Sequence, residues 1–165
     1  NLKAVIPGGS SVPVVPGDIM LETNMDYESI TKVGSLLGSG AIIVMDETTN
    51  MVEVAHRISR FYYSESCGQC TPCREGTGWM YRIIDRILKG NGNLEDIKTL
   101  ESIPGMIAGS TICALGDAAA MPVESFLLHY KSEFLKYIKY VSEQEEEILR
   151  ASYENNKNEF PLFKK

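Results

Sequence analysis

Three cysteines fall within seven residues, in the run Ser66-Cys67-Gly68-Gln69-Cys70-Thr71-Pro72-Cys73-Arg74-Glu75-Gly76, and the fourth and last, Cys113, follows forty residues later. No other feature constrains the fold as much, because joint use of all four thiols requires a distant segment to return to one short loop. Two disulfides are a poor use of them. Only two residues separate Cys67 from Cys70 and Cys70 from Cys73, so one short bridge excludes the other and strands a third thiol. The rest of the chain reads as an ordinary core that needs no staples, which favours a reducing compartment.

Three thiolate chemistries remain. A structural zinc site with four cysteines usually presents two separate two-cysteine knuckles, whereas here a third cysteine continues the first pair and Cys113 stands alone. Cys67-Gly-Gln-Cys70 and Cys70-Thr-Pro-Cys73 have the gap of dithiol oxidoreductases, but no thioredoxin-like βαβ pattern surrounds them. A [4Fe–4S] cluster takes four thiolates, three from one loop and one from afar, in the pattern of Cys67, Cys70, Cys73 and Cys113. Gly68 and Gly76 are expected to give tight turns with N–H groups aimed at sulfur. Four thiolates on a core bearing roughly +2 leave a net charge near −2, so nearby positive charge sets the potential. Arg74 is placed to offset that charge, or is simply an exposed arginine on the first helical turn. Trp79 and Met80 are expected to help bury the cluster.

Composition narrows the surroundings. The chain has 165 residues, 44% apolar and 23% charged, which is ordinary for a globular protein. A net charge of −6 with scattered basic residues argues against nucleic-acid binding. No apolar run approaches the ~20 residues of a membrane span, so membrane association would go through partners. The start, Asn1-Leu2-Lys3, has no signal-like character and no initiator methionine, which suggests a processed chain or a fragment.

Residues 3–6 and 11–15 read as short strands around a Pro7-Gly8-Gly9-Ser10 turn, which lacks the Gly-Lys-Ser/Thr of a phosphate loop. Asp26 is a candidate cap for a helix over 27–32, ended by Gly34. The glycines at 34–40 precede the apolar strand 41–45, the wrong order for a dinucleotide fingerprint. Thr48 or Thr49 would cap a helix over 50–63 with Met51, Val54, Ala55, Ile58, Phe61 and Tyr62 on its buried face, leaving His56 in solvent, as also expected of His129. Further helices are expected over 75–89, then 94–103 stopped by Pro104-Gly105, and from Pro122 through Val141. The acidic run at 143–147 reads as a solvated continuation, and the terminal Phe160-Pro161-Leu162-Phe163 as a frayed end or a partner contact.

Glu65-Ser-Cys-Gly-Gln-Cys-Thr-Pro-Cys-Arg-Glu-Gly76, with Thr111-Ile-Cys-Ala-Leu-Gly-Asp117, resembles the NADH-binding flavoprotein subunit of respiratory complex I. Ala4-Val-Ile-Pro-Gly-Gly-Ser-Ser11 and Ala41-Ile-Ile-Val-Met-Asp46 are similar to its soluble-ligand-binding β-grasp domain. The resemblance covers about residues 1–140. It implies that Cys67, Cys70, Cys73 and Cys113 ligate a [4Fe–4S] cluster that takes electrons from FMN, itself reduced by NADH, and passes them toward quinone. It also implies membership of an enzyme, NADH:quinone oxidoreductase. The chain carries only the relay and corresponds to the C-terminal part of the subunit, because the NADH- and FMN-binding portion of that family precedes the β-grasp domain and no counterpart is found here. The implied partners are other peripheral-arm subunits, especially neighbouring iron–sulfur subunits. The implied location is the cytoplasmic side of a bacterial inner membrane or the matrix side of the mitochondrial one.

The expected fold is mainly α, a four-helix bundle carrying an iron–sulfur cluster, preceded by a partial α+β (β-grasp) domain. The expected divisions are 1–48 for the partial β-grasp domain, 49–142 for the bundle and 143–165 for a charged tail. Diaphorase subunits of NAD-linked hydrogenases or formate dehydrogenases share the cysteine loop and are the nearest alternative, followed by a zinc-stabilised helical interaction module.

Overall fold

The computed structural model describes residues 1–138. Val141, the acidic run and the charged tail lie outside the described residues. The N-terminal layer is a three-stranded antiparallel sheet in which β1 (Leu2–Ile6) lies between β2 (Val15–Pro16) and β3 (Ile43–Asp46). Ala4 sits opposite Met45 and Pro16, and Val5 opposite Val44 and Val15. Alternation along β1 serves two cores: Ala4 and Ile6 join the main cluster, whereas Val5 packs with Val15, Met20 and Ile30 under two short helices.

Those helices are α1 (Gly17–Leu21), which the sequence did not announce, and α2 (Tyr27–Lys32). Asp26 caps α2 as expected, accepting from the Ser29 N–H at 2.7 Å, and Gly34 follows it at φ +81°. The strand expected over 11–15 shrinks to two residues. Pro13 and Pro16 have no N–H, and the Val14 N–H donates to Ser125 Oγ in the bundle instead, at 2.9 Å. The two glycine runs pack on each other. A Cβ on Gly8 would lie 2.3 Å from the Leu36 carbonyl oxygen, and Ser39 N–H donates to Gly8 O at 2.9 Å. Close backbone approach accounts for these glycines, in keeping with a turn and not a nucleotide loop.

The bundle comprises α3 (Met51–Glu65), α4 (Thr71–Leu88), α5 (Leu94–Ile107) and α6 (Leu115–Leu135). Asn50, not Thr48 or Thr49, caps α3, accepting from Val52 and Glu53 N–H. The two threonine hydroxyls donate to Asp46 Oδ1 at 2.7 and 3.1 Å and so are already engaged. Met51, Ala55, Ile58 and Tyr62 are buried as the spacing predicts, but Phe61, at the edge of that stripe, is exposed. His56 is not in free solvent. Its Nε2 lies 3.1 Å from Asp85 Oδ1 and its ring rests on Tyr81, so it ties α3 to α4. His129 too is only partly exposed.

Two prolines expected at helix boundaries lie inside helices. Pro104 forgoes one donor within α5, but it and Ile107 are buried in the core, which rewards continuing the helix. Pro122 lies within α6, which begins seven residues earlier through the strongly helix-forming Ala118-Ala119-Ala120 and kinks at Tyr130 (φ −129°). The Tyr130 hydroxyl donates to Lys3 O at 3.0 Å, tying the kink to the sheet. Asn93 and Asp96 form a capping box at the start of α5, and Asp96 pairs with Arg86 of α4. Burial works against the Asp96 carboxylate, but the Arg86 guanidinium and the Asn93 N–H hold it below the usual carboxylate range. One apolar cluster runs from Ala4, Ile6, Val12, Val14 and Met45 through all four bundle helices. Among the described residues no helix is long and apolar enough to cross a membrane.

Candidate metal centre

Helix α3 ends at Glu65, and the chain turns through Ser66 and Gly68, the latter at φ +78°, where a side chain is strained. Cys70 is the N-cap of α4, and Pro72 sits in the first turn, where its missing N–H costs nothing. The helix thus opens four residues before the expected 75, and Cys73 lies within its first turn. Cys67 is exposed, Cys70 half-buried and Cys73 buried. The positive end of an 18-residue helix faces this loop, a setting that favours a bound anionic group.

Arg74 holds the loop closed. Its Nη1 donates to the Gly68 carbonyl at 2.9 Å and its Nε to Glu75 Oε1 at 3.0 Å, so the guanidinium lies along the backbone between Cys67 and Cys70. Ser66 Oγ lies 3.3 Å from Cys73 Sγ, and Thr77 Oγ1 donates to the Cys73 carbonyl at 2.8 Å. Gly76, expected in a turn, is inside α4. A Cβ there would lie 2.6 Å from Ile107 Cδ1.

The return segment leaves α5 after Ile107 and enters α6 at Leu115, with Ala114 as N-cap. Gly109 N–H donates to Asp117 Oδ1 at 2.8 Å, and Thr111 Oγ1 to the Cys113 carbonyl at 2.8 Å. One bond then crosses to the loop: Ile112 N–H points at Cys70 Sγ, 3.4 Å away. A Cβ on Gly116 would lie 2.4 Å from Thr111 Oγ1 and 3.1 Å from Ile107 Cγ2. Ile107 is therefore clamped between glycines of α4 and α6, which lets the N-termini of both helices converge on the cysteines. Sequence reasoning did not assign Ile107, Gly116 or Asp117 these roles. The only signal was a glycine at each helix start, which reads equally well as a turn residue.

All four thiols are free, and among the described residues no three His, Cys, Asp or Glu side chains converge as one metal ion would require. An all-sulfur donor set spread over a loop and a facing segment, under two helix N-termini and one arginine, suits a larger anionic iron–sulfur core. The expected tryptophan shield is absent: Trp79 is 48% exposed, while the adjacent Met80 is buried in the bundle. Trp79 lies on the outer face of α4, one turn from exposed Arg82, and not on the stripe of Met80, Ile83, Ile84 and Ile87 that enters the core. The rim is open, with Cys67, Cys113 and Ile112 exposed, the last at 87%.

Residues 53–137, more than half of the chain, match the family described as the NADH-ubiquinone oxidoreductase-F iron-sulfur binding region. Proteins named as the F subunit of NADH-quinone oxidoreductase are similar, that of Rickettsia akari (strain Hartford) being 53% identical over 139 residues and that of Rickettsia massiliae (strain Mtu5) 52%. Each match covers 84% of this chain but 33% of the relative, so the chain spans about a third of their length. Among solved structures, an NAD+-reducing [NiFe]-hydrogenase in the H2-reduced state aligns over 100% of this chain and 29% of its own, with a TM-score of 0.76 at 23% identity. That likeness shows a shared fold.

Proposed function

The chain belongs to the family of the NADH-ubiquinone oxidoreductase-F iron-sulfur binding region, and from that premise we propose that Cys67, Cys70, Cys73 and Cys113 ligate one [4Fe–4S] cluster in an electron relay. The observation that carries the assignment is the Ile112 N–H aimed at Cys70 Sγ across 42 residues of sequence, which seats the Cys113 segment against the three-cysteine loop. When bound, the cluster supplies one-electron transfer at a potential set by its surroundings. The chain's own residues set those surroundings. The N-termini of α4 and α6 stabilise negative charge, the Ile112 N–H supports a thiolate, and Arg74 adds a cation while closing the loop.

The relatives' name extends the reading to the whole subunit. In the whole subunit, FMN reduced by NADH would supply the electrons, the cysteine site would receive them, and neighbouring iron–sulfur subunits would carry them toward quinone. The assembly lies on the cytoplasmic face of a bacterial membrane or the matrix face of a mitochondrial one. Residues 1–48 act as a partial β-grasp domain, 49–142 as the cluster-binding bundle and 143–165 as an appended tail. A diaphorase of a hydrogenase is the second reading, supported by the shared fold. The 53% identity to the quinone-oxidoreductase relative against 23% to the hydrogenase favours the first.

Metal analysis of the full-length subunit after anaerobic purification tests the site. About four irons and four sulfides per chain, with an EPR signal on reduction, are expected. One zinc and no sulfide would sink the relay and leave a zinc-stabilised module.

A further inference from the structure

One contact to sulfur comes from a side chain that is not itself a proposed ligand. Ser66 Oγ lies 3.3 Å from Cys73 Sγ, across the turn that joins α3 to α4. Both ends of this contact are fixed by the helices that carry them. Ser66 is the C-cap of α3, its N–H donating at 3.1 Å to the carbonyl of Tyr62, which is buried in the core. Cys73 lies in the first turn of α4, where its carbonyl accepts from Thr77 Oγ1 at 2.8 Å and the residue is 7% exposed. The two helices are tied again further along, at His56 and Asp85.

Chemistry fixes the direction of the bond. Between a free thiol and a hydroxyl either atom could donate. A thiolate bound to iron has no proton, so with a cluster in place the Ser66 hydroxyl is the donor and Cys73 Sγ the acceptor. Gly68 N–H points back at Ser66 Oγ at 3.4 Å, and a hydroxyl that accepts one bond donates the next more strongly. Gly68 reaches that position at φ +78°. Two aligned dipoles are thus aimed at a buried sulfur, where little water screens them. The other sulfurs are served differently. Cys70 Sγ faces a backbone N–H, that of Ile112, while Cys67 and Cys113 are exposed to solvent.

Resting on the [4Fe–4S] reading, we propose that Ser66 sets the reduction potential of the cluster by donating its hydroxyl to Cys73 Sγ. Reduction adds one electron and moves no proton: the hydrogen stays on Ser66 Oγ, and only its bond to sulfur tightens. A donor aimed at a thiolate stabilises the more negative, reduced form. Ser66 therefore raises the potential and favours acceptance of an electron from the flavin side.

The test is a redox titration followed by EPR on the full-length subunit, purified anaerobically, in two pairs that differ by the hydroxyl. One pair is wild type against Ser66→Ala, the other Ser66→Thr against the isosteric Ser66→Val. Within each pair, loss of the hydroxyl is expected to lower the equilibrium constant for reduction about tenfold, which is about 59 mV for one electron, with iron and sulfide unchanged. Deuteron ENDOR after exchange into D2O should show one coupled exchangeable site fewer in both hydroxyl-free variants. Equal potentials within either pair that keeps its iron overturn the role. Loss of iron from both hydroxyl-free variants, with iron kept by the other two proteins, overturns it as well and leaves Ser66 a loop fastener. One zinc and no sulfide in the wild type is a separate result, which removes the relay reading itself and this proposal with it.

Discussion

The two sides of the cysteine site are built differently. The Cys67–Cys73 side is part of a scaffold: Cys70 caps α4, Cys73 is buried in its first turn, and Arg74 bonds back to Gly68. The Cys113 side is a short connection with exposed Ile112 and Cys113, held by side-chain bonds from Asp117 and Thr111 and by contact with Cys70. Three of the proposed ligands therefore come preorganised by local structure, and the proposed fourth is delivered by helix packing. The rigid side ties the site to the bundle, while the other side is exposed among the described residues.

The largest effect that would break the comparison is loss of the delivered ligand. Cys113→Ser is expected to abolish the [4Fe–4S] signal and most bound iron while leaving the helical circular dichroism intact, because Cys113 contributes nothing to the core. A variant that keeps a complete cluster would refute the three-plus-one assignment. Next comes the packing that brings the two sides together. Gly76→Val pushes a branched side chain into Ile107, where even a Cβ lies 2.6 Å from Cδ1, and should cost about 1–3 kcal/mol in urea unfolding. Combining it with Ile107→Val should cost less than the two changes summed, and strict additivity would place the clamp elsewhere.

A third change acts inside the bundle, away from both sides. Glu124 is 6% exposed, its Oε2 has no hydrogen-bond partner among the described residues, and burial pushes its carboxyl up to about 7 from an ordinary 4.5. The folded chain holds this proton where the unfolded chain has released it. Stability therefore falls as pH rises from about 4.5 to 7 and is level above. Glu124→Gln should raise stability at pH 8 by about 1–2 kcal/mol and leave it nearly unchanged at pH 4, the amide remaining without a partner. Equal effects at both pH values would show that the carboxyl ionises freely. The smallest effect sharpens the rigid side. Arg74→Gln removes a half-exposed cation and the Gly68 bond, so the cluster potential should fall by tens of millivolts with iron content near wild type. An unmoved potential would leave Arg74 only a loop fastener.

Much of this was legible because it is local. Helical spacing of apolar residues identified the buried face of α3, and Asp26 followed by Gly34 bounded α2. Local rules failed where packing outweighed them. Pro104 read as a stop and Pro122 as a start, yet both are buried inside helices, since the apolar surface covered there outweighs one lost donor. Thr48 and Thr49 read as caps, but Asp46 reached their hydroxyls first. Trp79 read as a shield, but it falls on the outer face of α4 with Arg82 and Arg86.

The sequence by itself determined the chemistry on offer: four thiols in a spacing unsuited to paired disulfides, an arginine beside the third, and enough amphipathic helix for a bundle. Residue type and short-range spacing suffice for that, because thiolate chemistry and helical periodicity are properties of neighbours in the chain. Only the tertiary structure decided how Cys113 meets the loop. That meeting depends on Ile107 fitting between Gly76 and Gly116, on Asp117 turning the return segment, and on Ile112 reaching Cys70. The contacts of Ile107 with Gly76 and of Ile112 with Cys70 join segments far apart in sequence, set by the shapes of surfaces that form only once the helices pack.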